Sequence, residues 1–243
     1  MSVELADLST LKPVFKTLQR ISPYCVFEFT FSGLKVWSID PDERCAYIVQ
    51  LKKPFFKRYR IENPAKFVVD SQIVSRFLDK MNNQNLIAFD VGEPLVICCR
   101  TTRLNYELRA TSAYGKSAPQ PVLRKPRRQL AAFRIENKLF AEMLEHLWVA
   151  GDEALWCVDA EEVSVEIRNN HCTYSIKFIP IQTKCATRGK IRMKSPTVYI
   201  RMFPAMIFPQ STITLKFFEE GAMSILAQRT SVDLTCYVSA RLE

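Results

Sequence analysis

The chain has 243 residues, 48% of them hydrophobic, with 34 Lys and Arg against 25 Asp and Glu for a net charge of +9. That length holds one large domain or two of roughly 120 residues, either able to bury a core. No apolar run reaches the about eighteen residues of a membrane-spanning helix, the opening MSVELADLSTLK lacks the basic-then-apolar pattern of a secretory leader, and the excess of cations favours an acidic partner, of which nucleic acid is the commonest. The expectation is an intracellular protein with no membrane partner.

From Ser9 to Ile21, residues Leu11, Val14, Phe15, Leu18 and Ile21 recur at helical spacing, while Lys12, Lys16 and Arg20 recur at i, i+4, i+8 on another face. This predicts a helix with a core face and a cationic row. Val26 to Phe31 alternates as a strand. Leu34 to Ile39 and Ala46 to Leu51 then alternate on either side of Asp40-Pro41-Asp42-Glu43-Arg44, whose Asp and Pro are turn formers, so the stretch reads as a β-hairpin. A loop carrying Lys52, Lys53, Lys57 and Arg58 leads to a short strand at Tyr59 to Ile61, then to Asn63-Pro64 and a β-branched run entering Ser71. Ser71 to Met81 predicts a second amphipathic helix with Asp70 as N-cap, Ile73, Val74, Phe77 and Leu78 inward, and Arg76 and Lys80 outward. Strands follow at Leu86 to Val91, Leu95 to Arg100 and Asn105 to Thr111.

Residues 112–131 break every periodicity with Gly115, three prolines and the basic tail Arg124, Lys125, Arg127, Arg128, and read as a linker between an N-terminal domain (1–111) and a C-terminal domain (132–243). An extended apolar pair, Val122-Leu123, sits inside it. The pattern then begins again. Phe133 to Ile135 is strand-like; Asn137 to Val149 predicts a helix with Phe140, Met143, Leu144 and Leu147 on its apolar face, stopped by Gly151-Asp152. Strands follow at Ala154 to Val158, Val163 to Ile167 and Thr173 to Ile179, then a basic loop with Lys184, Arg188 and Lys190. Tyr59 to Val69 and Ile191 to Ile200 each place an Arg-bearing strand, a loop proline and an apolar run toward a helix, about 132 positions apart. The second half therefore repeats the first.

Eight cysteines fall mostly inside apolar strand-like runs, with no Cys-x-x-Cys pair and only His146 and His171 as histidines, so reduced structural cysteines are expected and no zinc site. Gly-rich phosphate loops, Gly-x-Ser-x-Gly and His-Glu-x-x-His are all missing. Asp40, Asp42 and Glu43 cluster in one turn and Asp159, Glu161 and Glu162 in its counterpart, where turn chemistry explains them more simply than a metal or a catalytic pair. The chain is not expected to be an enzyme or to need a cofactor.

Gly33, Ser38, Ile39, Asp40, Val49, Gln50, Leu51, Tyr59 and Arg60, in this order and spacing, resemble the sliding DNA clamps of the proliferating cell nuclear antigen family. Phe140-Ala141, Leu147, Gly151-Asp152, Thr212-Ile213-Thr214-Leu215 and the tail Tyr237 to Glu243 extend the resemblance over the whole chain, although Ala240 stands where the family has proline. The resemblance implies an α+β DNA-clamp (processivity) fold of two tandem similar domains, each with two helices packed on antiparallel sheets. It implies a homotrimeric ring around duplex DNA in the nucleus, acting in DNA replication and repair, with no catalytic residues. It implies DNA-facing positions at Lys12, Lys16, Arg20, Arg76, Lys80 and Arg109, since diffuse attraction to phosphates needs cations without tight anchoring. It implies a pocket for the short motifs of DNA polymerase and other partners at Ile39, Cys45, Ala46, Ile48, Val122, Leu123, Ala222, Ala240 and Leu242. Subunits would join by edge-strand pairing of residues 105–111 with 173–179, through Tyr106, Arg109, Tyr174 and Ile176.

Three features depart from that family. Glu142 and Glu145 stand where it presents cations to DNA, the last helix, expected over Arg201 to Pro209, is short and proline-flanked, and the linker and the loops at 52–60 and 184–194 are basic rather than acidic. A second arrangement stays open: a diverged, for example viral, clamp-like protein holding DNA against a basic outer surface as a monomer or dimer, or a clamp-like subunit of a mixed assembly in transcription or DNA-damage signalling.

Overall fold

The computed structural model describes residues 2–5, 8–82, 85–100, 103–110, 126, 128–147, 151–159, 161–168, 171–186, 190–205 and 208–242. Among these, the elements run β1 (Ser2–Leu5), α1 (Leu8–Ile21), β2 (Tyr24–Thr30), β3 (Gly33–Ile39), β4 (Cys45–Lys52), β5 (Phe56–Arg60), β6 (Ala65–Asp70), α2 (Ser71–Asp79), β7 (Leu86–Asp90), β8 (Leu95–Arg100) and β9 (Asn105–Ala110). They continue with β10 (Gln129–Glu136), α3 (Asn137–His146), β11 (Glu153–Val158), β12 (Val163–Arg168), β13 (Thr173–Phe178), β14 (Gln182–Cys185), β15 (Ile191–Pro196), α4 (Thr197–Arg201), β16 (Thr212–Phe218), β17 (Ala222–Gln228), β18 (Val232–Ser239) and β19 (Arg241–Leu242). The chain divides into two compact units: Met1–Glu43, Tyr47–Pro121 and Thr230–Leu234 form unit 1, and Arg44–Ala46, Val122–Arg229 and Thr235–Glu243 form unit 2.

In unit 1 the strands run in the orders β5-β1-β7-β8-β9 and β4-β3-β2-β6; in unit 2 they run β14-β10-β16-β17-β18 and β13-β12-β11-β15, with β19 beyond β15. The two orders correspond strand for strand, so the repeat visible in the sequence is a repeat of topology. Alternation fixes the registers. Val26↔Trp37 and Phe27↔Val36 on β2·β3, and Trp156↔Val165 on β11·β12, keep each apolar set on one face.

Aromatic rings fill both cores. In unit 1, Phe27 stacks on Phe15 of α1 at 5.6 Å, and Phe29 lies edge-on to Phe67 and Phe89 at 6.1 and 5.8 Å. In unit 2, Phe133, Trp156 and Phe217 form a cluster with centroids 5.8–6.4 Å apart, and the Trp156 indole donates to Ser195 Oγ at 2.8 Å. Each such ring contributes about 1.5–3 kcal/mol by leaving water, and the ring that carries a polar N–H keeps it satisfied.

Several expectations are corrected. The cationic stretch after β4 is not a loop: Lys53–Phe55 is a single 3₁₀ turn and Lys57 and Arg58 lie on β5, because Phe55 and Phe56 bury and pull the backbone into the sheet. Lys184 likewise lies on β14, paired with Ala132 of β10, rather than in a loop. On α2 the Asp70 cap holds, its carboxylate accepting from Gln72 and Ile73 N–H at 2.8 and 3.0 Å. Ile73, however, points outward, 49% exposed, since the buried stripe is Ser71, Val74, Ser75 and Leu78. The α3 helix ends at His146 rather than at Val149, its Leu147 N–H turned back to the Met143 and Glu145 carbonyls. The last helix occupies Thr197–Arg201, not 201–209: Pro204 has no N–H for the Ile200 carbonyl, which takes the Phe203 N–H at 3.0 Å instead and closes the helix after one turn. Strand β10 begins at Gln129, inside the stretch read as linker. Of the cysteines, Cys25, Cys45, Cys99, Cys157 and Cys236 are buried, whereas Cys172 is exposed.

Candidate nucleic-acid and partner interfaces

The α1 stripe that seals unit 1 leaves its other side to the cations. Leu11, Val14, Phe15, Leu18 and Ile21 are buried, Lys16 and Arg20 are exposed, and Pro13 falls on the half-exposed side. On α2 the same division exposes Arg76 and Lys80. The two helices pack against each other, and two cross-bonds fix their register: Lys12 Nζ donates to the Met81 carbonyl, and Lys16 pairs with Asp79 at 3.5 Å. Arg20 and Arg76 lie one turn beyond the Lys16–Asp79 pair on their helices. Four of the predicted DNA-facing cations thus share one solvent face, and Lys12 closes its end on the Met81 carbonyl just past α2. Arg109 is not with them. It lies on the edge strand β9, against Glu107 at 3.3 Å.

The corresponding helices of unit 2 are different in charge. The solvent side of α3 carries Lys138, Glu142, Glu145 and His146. On α4 the guanidinium of Arg201 turns inward to the Gly151 carbonyl at 2.7 Å, where burial pushes its pKa down against the opposing pull of Asp152. Below α3 a groove of about 340 Å³ is lined by Ile135, Leu139, Ile179 and Ile181 with Glu136, Lys138 and Glu142. Sequence reading missed it; the signal was Ile179-Pro180-Ile181, a strand end that proline prevents from continuing into cover.

Both strands expected to form the subunit seam are sheet edges: β9 ends the β5-β1-β7-β8-β9 order and β13 ends the β13-β12-β11-β15 order. Tyr106 is 42% exposed on β9. Tyr174 and Ile176 are half-buried on β13, and the Tyr174 ring stacks on His146 at 5.6 Å with its hydroxyl 2.9 Å from Nδ1. Inside unit 1, Lys52 N–H donates to the Ser231 carbonyl at 2.9 Å and Lys52 Nζ pairs with Asp233 at 2.9 Å; inside unit 2, Ser239 N–H donates to the Arg44 carbonyl at 2.7 Å.

The residues expected to form a partner pocket are divided between the units. Ile39 and Ile48, in unit 1, are half-buried. In unit 2, Cys45 and Ala46 are core residues, Cys45 Sγ lying 4.0 Å from Cys236 Sγ. Ala240 is buried, with its N–H on the Gly221 carbonyl at 2.8 Å, beside half-buried Ala222. Gly221 is required there: its φ is +72°, and a Cβ would come 2.7 Å from the Ala240 oxygen. Leu242, on β19 opposite Met193, is 43% exposed. Val122 and Leu123 lie outside the described residues. In the turn after β11, Asp159 accepts the Glu162 and Glu161 N–H groups at 2.7 and 2.9 Å, which hold its carboxyl below the usual range, so its carboxylate serves the turn.

No known family model matches the sequence. Among solved structures, a chain of the PCNA2–PCNA3 complex from Sulfolobus tokodaii superposes with a TM-score of 0.84 at 14% identity, over 99% of this chain and 99% of that one. The chain therefore has the PCNA-like sliding-clamp fold, with four helices and antiparallel sheets among the described residues. The resemblance read from Gly33, Ser38, Asp40 and the tail was a resemblance of fold.

Proposed function

We propose that the chain is the subunit of a DNA sliding clamp, a non-enzymatic processivity factor that closes with two further copies around duplex DNA and docks polymerases and other replication proteins. The observation that carries this reading is the inventory of strand edges. Among the described residues β9 closes one end of the unit 1 order β5-β1-β7-β8-β9 and β13 one end of the unit 2 order β13-β12-β11-β15, so β9 of one copy can pair head-to-tail with β13 of another. A heterologous contact of this kind generates a ring when its rotation closes. The Sulfolobus neighbour is itself part of a PCNA2–PCNA3 complex.

Retention on DNA falls to the α1/α2 face, where exposed cations attract phosphates without reading sequence. The nucleus, or a viral replication compartment, is the setting for that activity. A mixed ring is a second reading, favoured by Glu142 and Glu145: a helix pair that repels phosphate fits an assembly in which other subunits supply most of the cationic lining, as in a transcription or damage-signalling clamp. The test is Tyr106→Ala at the β9 edge. Sedimentation should show weaker self-association with unchanged thermal stability; self-association equal to the parent's would remove β9 from the seam.

A further inference from the structure

A different surface of unit 1 combines an exposed ring with cations. The β2–β3 turn carries Phe31, 58% exposed, and holds it rigidly: the Thr30 carbonyl accepts the Tyr59 hydroxyl at 2.8 Å, the Ser32 carbonyl accepts the Lys53 N–H at 3.2 Å, and Thr30 Oγ1 bonds Ser32 Oγ at 2.9 Å and donates to the Gly33 carbonyl at 2.9 Å. The turn sits hard against the end of β4. A Cβ on Gly33 would fall 2.1 Å from the Leu51 oxygen, at a φ of +145°. From Lys52 to Arg60 the chain carries five cations and no carboxylate. Lys52 is neutralised by Asp233, Lys53 and Lys57 are exposed, and Arg58 faces a separate groove that it lines with Glu4, Asp90 and Glu107. An aromatic ring held beside a basic stretch suits a partner alternating flat apolar groups with negative charge.

We propose that Phe31 with Lys53 and Lys57 forms a binding surface for single-stranded nucleic acid, one base stacking on the Phe31 ring while the neighbouring phosphates meet the two cations. The inference does not depend on ring closure, and it uses none of the α1/α2 cations. It gives the chain a second, chemically distinct hold on nucleic acid, suited to a strand that has left the duplex.

Fluorescence anisotropy with a labelled oligothymidylate, an abasic phosphodiester of equal length and the matching duplex tests it. Phe31→Ala should weaken the oligothymidylate by about tenfold, the scale of one base–aromatic stack, and leave the abasic probe unchanged. Lys53→Ala with Lys57→Ala should weaken both single-stranded probes and flatten the slope of log K against log salt by about 1.4, at roughly 0.7 per phosphate contact. Arg20→Gln with Arg76→Gln should weaken duplex binding and leave the oligothymidylate untouched, which separates this surface from the helix face. Equal affinity of the parent protein for the abasic and thymidylate probes, an unchanged oligothymidylate affinity in Phe31→Ala, or a preference for an acidic peptide or anionic vesicles over the oligothymidylate would each overturn the proposal. Phe31 is exposed at a turn, so its truncation leaves the core intact, and a thermal melt matching the parent's checks this.

Discussion

Neutralising Arg20 and Arg76 together should uncouple the chain from duplex DNA in a way that salt can measure. On the α1/α2 face Lys12 is spent on the Met81 carbonyl and Lys16 on Asp79, while Arg20, Arg76 and Lys80 are exposed and make no ion pair among the described residues. Three available cations correspond to a slope of log K against log salt of about −2.7 per engaged chain, or roughly a fortyfold loss of affinity for a fourfold rise in salt. With Arg20→Gln and Arg76→Gln only Lys80 remains, so the slope falls to about −0.9 and the same salt step costs about three- to fourfold. The assay is duplex binding by anisotropy over a salt series, with thermal unfolding as a control, since exposed cations without partners contribute little to stability. An unchanged slope in the double variant would refute the assignment of phosphate contact to this face.

Three further outcomes follow from the geometry. Glu142→Lys with Glu145→Lys gives α3 the cations its counterpart carries and should tighten duplex binding while steepening the salt slope by up to about 1.8 per engaged chain; no tightening would place α3 away from DNA. Leu123→Ala with Leu242→Ala should abolish binding of a polymerase-tail peptide in calorimetry and spare DNA binding, whereas loss of both would indicate misfolding. Tyr59, whose hydroxyl donates to the Thr30 carbonyl, is pushed up to about 12 mainly by burial. Its folded value lies above the ordinary one near 10, so the stability it lends is complete below about pH 10 and lost as pH rises toward 12. A Tyr59→Phe variant should lack that step in stability against pH.

Local patterns were legible where side chain and backbone chemistry act over a few residues. Asp70 announced its cap, Asp40-Pro41 its turn, and Leu11, Val14, Phe15 and Leu18 their stripe, because each depends on neighbours within one turn of chain. The repeat was legible because the same sequence of such signals recurs. What failed depended on partners distant in sequence. Ile73 looks apolar enough to be core, yet the stripe that α2 buries is set by packing against α1 and includes two serines. Lys12 looks like a free cation, yet a carbonyl 69 residues away takes it. The basic stretch after β4 reads as loop from its lysines, but Phe55 and Phe56 decide its structure by burying. The one-turn α4 was misplaced because apolar periodicity outweighed Pro204, whose missing N–H is the stronger constraint.

The central claim, that β9 and β13 are mating edges of a closed ring, is tested most directly by the solution mass of the whole protein, by light scattering across protein concentration at low and high salt. The account predicts a species of three times the 28.1 kDa chain mass, resistant to salt because main-chain pairing and buried apolar contacts hold it. A monomer of 28.1 kDa at every concentration would contradict it.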